Sequence, residues 1–329
     1  MKSIVEHLRQ IFSAHSYSIP ANFRQATPAD VHHAYRLFLN RVPTRAEENY
    51  WTALVENRQI SLEDLTNEFA SGHEFLALQR QRRQAERVEI EGFTMFVRKN
   101  DWLIGAGIAR TGEYEPQVTA CLKELLAPGM VFVDVGANIG YYALLGASLV
   151  GEEGQVIAFE PNVDNVALMR RSLAASQVQV VTIHTKAVAD RPQTLLLDAG
   201  GANSNGRVVE VSPDGFARPS VEAVTLDDTL ADLERVDVIK IDTEGAEPLV
   251  WAGMQEIAKR HRPTILFEFT PTSPHFSAEN TPRRFLADLS ERYSLAIVDA
   301  PATFLTTNEI MGHFETPTFD HIDLVATPQ

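Results

Sequence analysis

An α/β domain built on a parallel sheet, preceded by a small all-α unit, is the fold this sequence predicts, and three observations predict it. From about residue 130, short apolar runs alternate with helical stretches, the pattern of a parallel sheet covered by helices on both faces. The first 90 residues instead place apolar side chains at helical spacing and repeat helix-start signals. Charge divides the chain at the same place. The formal net charge of −15 lies wholly beyond residue 90, because the first 90 residues carry equal numbers of acidic and basic side chains. A chain of 329 residues is long enough for two domains of ~100–200 residues each, and the boundary is placed after residue 87, leaving 88–329 as the α/β domain.

In the helical part, Ile4, Leu8, Ile11 and Phe12 share one helical face. Thr27 with Pro28 is a cap and first-turn pair, after which Val31, Tyr35 and Phe38 recur at helical spacing. Thr44 with Glu47 and Ser61 with Asp64 have the form of capping boxes. Trp51, Leu54, Val55, Leu62, Leu65 and Phe69 would supply a small core. An Arg- and Gln-rich helix ending near Arg87 would close the unit. Consecutive His32 and His33 point to different sides of a helix, so no joint metal role is expected. The expected strands are Val131 to Val135, Val156 to Phe159, Val178 to Ile183, Val236 to Ile241, Thr264 to Phe269 and Leu295 to Val298, with His321 to Ala326 closing the sheet. Asp198 to Ser220, rich in glycine and proline, reads as a long loop or hairpin insertion.

Several classes of function are excluded at this level. No stretch reaches the ~18 uninterrupted apolar residues of a membrane span; the best, Val131 to Val150, is broken by Asp134, Asn138 and glycines. The first thirty residues lack the compact apolar segment of a secretory signal. Cys121 is the sole cysteine, so no intrachain disulfide can form, and a cytoplasmic location is expected. A strongly negative domain without a basic stripe repels phosphate backbones, so nucleic acid is not an expected partner.

The most informative segment is Val131-Phe-Val-Asp-Val-Gly-Ala-Asn-Ile-Gly140. A buried strand ends at Asp134-Val135, and Gly136 and Gly140 let the backbone turn tightly beside a ligand before a helix starts near Asn138. The spacing does not fit the G-x-G-x-x-G dinucleotide fingerprint, which disfavours an NAD-dependent dehydrogenase, and no Gly-Lys-Ser/Thr of a P-loop follows. An acid at Asp134 would repel a pyrophosphate but suits a ligand with an ammonium group. Glu160 ends the second strand, where a carboxylate accepts hydrogen bonds from both hydroxyls of a ribose. An adenosine with a positively charged tail fits both positions.

Asp-Val-Gly-Ala-Asn-Ile-Gly-Tyr-Tyr, Gly-Gln-Val-Ile-Ala-Phe-Glu-Pro-Asn, Thr225-Leu-Asp-Asp228 and Lys240-Ile-Asp-Thr-Glu-Gly-Ala-Glu247, in this order, resemble the FkbM family of S-adenosylmethionine-dependent methyltransferases over roughly residues 105 to 327. The resemblance implies a Rossmann-like seven-stranded class I methyltransferase sheet. It implies S-adenosylmethionine as cofactor, with Asp134, Gly136 and Asn138 near its methionine part, Glu160 on its ribose, and Ala187, Val188 and Asp190 beside its adenine. Glu115, Gly140, Pro161, Asn162 and Asp242 complete the cofactor set so implied. Tyr35 to Trp51 with Phe69-Ala-Ser-Gly-His-Glu-Phe75 resembles a bacterial domain of unknown function found beside glycan-modifying modules. That resemblance tilts the expected acceptor toward carbohydrate and suggests a protein partner or self-association through the helical domain.

Methyl transfer from a sulfonium is an in-line displacement in which positioning and desolvation do most of the work, and a general base helps a hydroxyl acceptor. Asp242, Glu244 and His275 are the catalytic candidates, with Glu247 and Glu268 as further carboxylates; Glu247 reads equally as a helix anchor and His275 as a loop histidine. Lys240 lies within an apolar strand, where an unpaired ammonium is costly, so a motif carboxylate should pair with it. The expected function is O-methylation of a hydroxyl on a sugar, a glycan or another polar metabolite, without a metal. The alternative is a non-catalytic S-adenosylmethionine-binding scaffold in glycan assembly. The acceptor would be reached through the 198–220 loop, whose Asn203, Ser204 and Asn205 suit hydroxyl recognition, and through the segment 271–280.

Overall fold

The computed structural model describes residues 25–58, 60–82, 84–98, 100–199, 204–209, 218–315 and 320–329. The expected helix around Ile4 to Phe12, and Asn203, lie outside the described residues. The chain divides into two compact units, one through Gln84 and one spanning Ala85–Gln329.

The first unit consists, among the described residues, of helices Pro28–Leu39, Arg45–Arg58, Leu62–Ser71 and His73–Arg82. Thr27 with Asp30 and Ser61 with Asp64 form reciprocal capping boxes, and Thr44 and Glu47 exchange the same two bonds. Each box satisfies backbone donors that a helix start leaves without partners. Val31, Tyr35, Val55, Leu65 and Phe69 form the buried core. Phe69 packs edge-on against Tyr35 at 5.0 Å and beside Trp51 at 5.1 Å. His32 Nε2 lies 3.0 Å from Glu48 Oε1.

The last helix of this unit ends at Arg82, not near Arg87. Residues 85–87 begin a strand, β1 (Ala85–Ile90), paired antiparallel with β2 (Phe93–Arg98). Gly92 at φ +93° makes the turn between them, and from Arg87 to Ile90 exposed and half-buried side chains alternate, the period-2 pattern of a strand. The helical reading of this stretch followed its Arg and Gln content; the alternation outweighs it once β2 is there to pair with.

The second unit is an α/β fold. β3 (Val131–Val135), β4 (Gln155–Phe159), β5 (Val181–His184), β10 (Val238–Ile241), β11 (Thr264–Phe269), β12 (Tyr293–Ile297) and β13 (Ile322–Pro328) form one seven-stranded sheet in the order β12-β13-β11-β10-β3-β4-β5. β13 does not extend an edge; it inserts between β11 and β12, antiparallel to both, while β5, β4, β3, β10 and β11 run parallel. β6 (Ala187–Val188), β7 (Gln193–Ala199), β8 (Gly206–Val209) and β9 (Ser220–Val224) form a second sheet, ordered β6-β9-β7-β8. The stretch read as an insertion therefore takes in the end of β7, the whole of β8, which pairs antiparallel with β7, and the first residue of β9. Two apolar layers cover the main sheet. Phe132, Ala158, Val238 and Leu266 pack with helices Pro116–Leu125 and Tyr141–Val150, whereas Val133, Ile157, Ile239 and Phe267 pack on the other side with Trp251, Ile257 and Leu286. Among the described residues no helix is long and apolar enough to cross a membrane.

Candidate active site

Parallel strands place all their C-terminal ends on one edge of a sheet, and a crevice opens there beside β3, where the strand order switches: β4 and β5 lie on one side of β3 and β10 and β11 on the other. In this chain the crevice is open to solvent at its mouth and is lined by the turns after β3, β4 and β10, by β6, and by Ser204 to Gly206. Gly136 turns at φ +84°, and a Cβ there would overlap the carbonyl oxygen of Asp242. Only glycine lets the ends of β3 and β10 approach so closely. The backbone N–H groups of Gly136 and Ala137 both donate to the Phe159 carbonyl, at 2.9 and 3.0 Å, and Asp242 N donates to Val135 O at 3.0 Å. These bonds lock the three strand ends into one wall.

Of the residues expected at the cofactor, Gly136, Asn138, Glu160, Pro161, Ala187, Val188 and Asp242 line this cavity. Glu160 is nearly fully buried. It accepts hydrogen bonds from Asn138 N at 2.9 Å and Asn162 N at 2.8 Å, while burial pushes its carboxyl up to about 7. The others lie outside the lining. Gly140 caps helix Tyr141–Val150 at φ +92°, where a Cβ would strike Met169, so packing explains it. The Asn162 side chain caps helix Val163–Ala175. Asp190 binds Arg191 and Gln193. Glu115 accepts the Tyr142 hydroxyl at 2.8 Å and touches the site through that tyrosine.

Asp134 is fully buried behind the wall, opposite Lys240 in the β3–β10 register. Neither of its carboxylate oxygens has a side-chain hydrogen-bond partner among the described residues, and the backbone N–H of Ala143 in helix Tyr141–Val150 favours its ionised form. Burial pushes it up to about 7 against the pull of Lys240. Lys240 donates to Asp242 Oδ2 at 2.8 Å and lies 4.5 Å from the Tyr142 ring centroid. Burial works to lower the pKa of this ammonium, and the carboxylates of Asp242, Glu115 and Asp134 outweigh it, so the net direction is upward. The pairing expected from the cost of an isolated buried charge is present.

Among the catalytic candidates, Asp242 and Glu244 line the cavity and His275 does not. His275 Nε2 lies 3.3 Å from the Val208 carbonyl, behind the wall that Val208 forms. Glu244 sits at φ +55° with its side chain reaching solvent at the mouth. Withdrawal from bulk water within the recess, and then Asp242, Glu247 and Glu115, nonetheless push its carboxyl up to about 7. Glu247 is consumed by structure: its Oε1 accepts from Thr243 N, Thr243 Oγ1 and Gly245 N, which anchors the turn after β10. Burial first, and then Asp242, Glu247 and Glu244, push the Glu268 carboxyl up, which favours its protonated form. Among the described residues, no group of three or more His, Cys, Asp or Glu is placed to hold a metal ion.

Sequence reasoning did not identify Ile104, Tyr114, Tyr141, Tyr142, Lys186 and Gly206 as wall residues. Tyr141 and Tyr142 follow Gly140 directly and could have been found there; the others come from distant segments. Ser204 and Asn205, read as acceptor contacts, line the crevice and are held by Asn165 and Asn138.

Carboxyls raised by burial give the ligand-free protein a definite pH dependence. Asp134, Glu160 and Glu268 hold protons more tightly folded than unfolded, where carboxyls titrate at about 4. Their contribution to stability is complete below about pH 4 and is lost as pH rises through about 7 and above. Thermal melts are expected to show a lower Tm at pH 9 than at pH 6, with a larger gain from a cationic ligand at the higher pH. A Tm that rises over this interval would contradict the burial of these groups.

The geometry fits S-adenosylmethionine. Acidic side chains converge on the crevice, Asp242 and Glu160 on its wall and Asp134 behind it, which suits a ligand that carries a sulfonium and an ammonium, and the Glu160 oxygens are placed to accept from a ribose diol. A family model described as the Methyltransferase FkbM domain matches residues 134–300. A comparison with curated proteins found no match. Solved structures similar to this chain include Methyltransferase FkbM from Methylobacillus flagellatus KT, at 16% identity, 69% coverage of this chain, 60% of that one and a TM-score of 0.37. An rRNA methylase from Streptococcus thermophilus is also similar, at 8% identity, 64% and 95% coverage and a TM-score of 0.37. So is a Streptococcus mutans protein solved in complex with SAH, at 8% identity, 64% and 96% coverage and a TM-score of 0.37. With half of its length matched by the family model, over the segment that builds this crevice, the chain belongs to the FkbM methyltransferase family and uses S-adenosylmethionine as its cofactor.

Proposed function

We propose that this methyltransferase acts on a hydroxyl of a sugar, a glycan or another polar metabolite, with Asp242 orienting the acceptor and Glu244 taking its proton. Bound S-adenosylmethionine supplies an electrophilic methyl group on a positively charged sulfur. Glu160 would bind the ribose hydroxyls, Ala187 and Val188 would face the adenine, and Gly136, Asn138 and the field of Asp134 would serve the methionine part.

The observation that carries the reading is the pair of carboxylates at the end of β10. Asp242 is held by Lys240, which suits orientation. Glu244, unpaired with any described side chain and raised to about 7, matches the pKa expected of a base working near neutral pH. Metal-independent transfer is part of the proposal, because Lys240 already supplies positive charge among the acids. The test is product analysis with radiolabelled methyl donor on a panel of glycans and polar metabolites, before and after exhaustive EDTA treatment. Label on oxygen with activity retained after chelation is the expected result. Label on nitrogen, carbon or a nucleic-acid base, or activity restored only by magnesium or manganese, would overturn the reading.

The helical unit is proposed to dock a protein partner or a second copy rather than to build the cofactor site. A chain beginning at Gln84, which keeps β1 whole, is expected to bind cofactor within about threefold of the full chain. Insolubility or loss of binding would make the helical unit part of the catalytic core.

A further inference from the structure

We propose that Asp101 is a positioning residue that clasps Ser204 and Asn205 over the ribose end of the cofactor cavity, so that the spent cofactor leaves only when this clasp opens. The inference rests on the cofactor reading above.

Asp101 lies between β2 and helix Gly105–Thr111 and is almost fully buried. A buried carboxylate must be satisfied by strong donors, and those of Asp101 come from two places. Its Oδ1 accepts from Ile104 N at 3.2 Å, and its Oδ2 accepts from Ser204 N at 3.2 Å and from the Ser204 hydroxyl. Ile104, Ser204 and Asn205 all face the cavity. Asp101 thus joins two pieces of its wall that are far apart in the chain.

Two asparagines complete the hold. Asn165, itself buried, donates to Ser204 O at 2.9 Å and lies 3.5 Å from Glu160 Oε1. Asn138 donates its backbone N–H to Glu160 and its side-chain amide to Asn205 Oδ1 at 3.1 Å. The segment at the start of β8 is therefore fastened from three sides, and two fasteners also touch the carboxylate proposed to bind the ribose. An arm that needed anchoring alone has its anchor in the β7–β8 ladder. The side-chain bonds fall instead on the two residues that face the cavity, which couples ribose binding to closure. A ligand beneath them loses contact with water at that end and cannot depart while they stay in place.

The test measures S-adenosylhomocysteine dissociation from the full chain by surface plasmon resonance. Asp101→Asn leaves one acceptor oxygen where the carboxylate uses two, so a donor at Ile104 or Ser204 loses its partner. We expect dissociation about tenfold faster, with association changed much less. Ser204→Ala removes only the hydroxyl bond and is expected to give a smaller acceleration of about threefold. Asp237→Asn is the control for a merely structural role. Asp237 accepts Val131 N at 2.7 Å at the opposite edge of the sheet, so this variant should lower Tm without altering dissociation. Folded Asp101→Asn and Ser204→Ala proteins that both release the ligand within twofold of wild type would overturn the clasp. If Asp101→Asn does not fold, Ser204→Ala decides alone. Failure of the unmodified chain to bind S-adenosylhomocysteine would overturn the cofactor reading itself, and so is distinguishable from failure of the clasp.

Discussion

Glu244→Gln is expected to lower kcat by about a hundred- to ten-thousandfold, the range that a positioned general base contributes, while cofactor affinity changes little. The carboxyl stands at the cavity mouth without a partner among the described side chains, so the amide leaves the wall intact and removes only the proton acceptor. The pH profile separates this role from a packing effect. A base whose carboxyl is raised to about 7 must be ionised to act, so kcat of the unmodified enzyme should climb as pH rises through about 7 and level off above it, and Glu244→Gln should lose that limb. Asp242→Asn is expected to act differently. It strips Lys240 of its 2.8 Å partner and leaves a buried ammonium facing Asp134 across the register, so kcat, cofactor affinity and Tm should fall together. A flat pH profile with full activity in Glu244→Gln would remove Glu244 from the mechanism and leave Asp242 as the remaining candidate on the wall.

Glu160→Ala is expected to weaken S-adenosylmethionine binding about ten- to a hundredfold in calorimetry, since hydrogen bonds to a charged group contribute ~1.5–3 kcal/mol. The structure points to the upper part of that range. Glu160 also receives the backbone N–H groups of Asn138 and Asn162, and truncation leaves both donors without a partner beside the cavity. Glu160→Gln keeps the shape and one acceptor oxygen and should lose less. Unchanged affinity in a folded Glu160→Ala protein would remove this residue from the ribose site.

The two halves of the site differed in how far the sequence alone could determine them. Gly136 and Glu160 were legible because each sits within two residues of a strand end, and the parallel sheet brings strand ends together whatever the rest of the chain does. The Lys240–Asp242 pair was legible for a similar reason: alternation within one extended segment puts both side chains on one face. Gly140, Asn162 and Asp190 stand differently: they lie outside the lining and are held by a helix start or a neighbouring side chain. Local chemistry also could not assign Glu247 between anchor and base; three donors converging on one oxygen decided it.

By itself the sequence determined the α/β class, the helical N-terminal region and most strand positions, since these depend on periodicity and on residues close along the chain. Tertiary structure alone decided where β13 inserts, which carboxyls lose water and are pushed up, and that the segment around Ser204 lines the crevice. Asp101 and Ser204 are separated by 103 positions, and no spacing rule reaches that far. Their meeting depends on how a hairpin of the second sheet folds back over the end of the first. Burial likewise is a property of the packed layers, and a carboxyl acquires its proton affinity only when those layers exclude water around it.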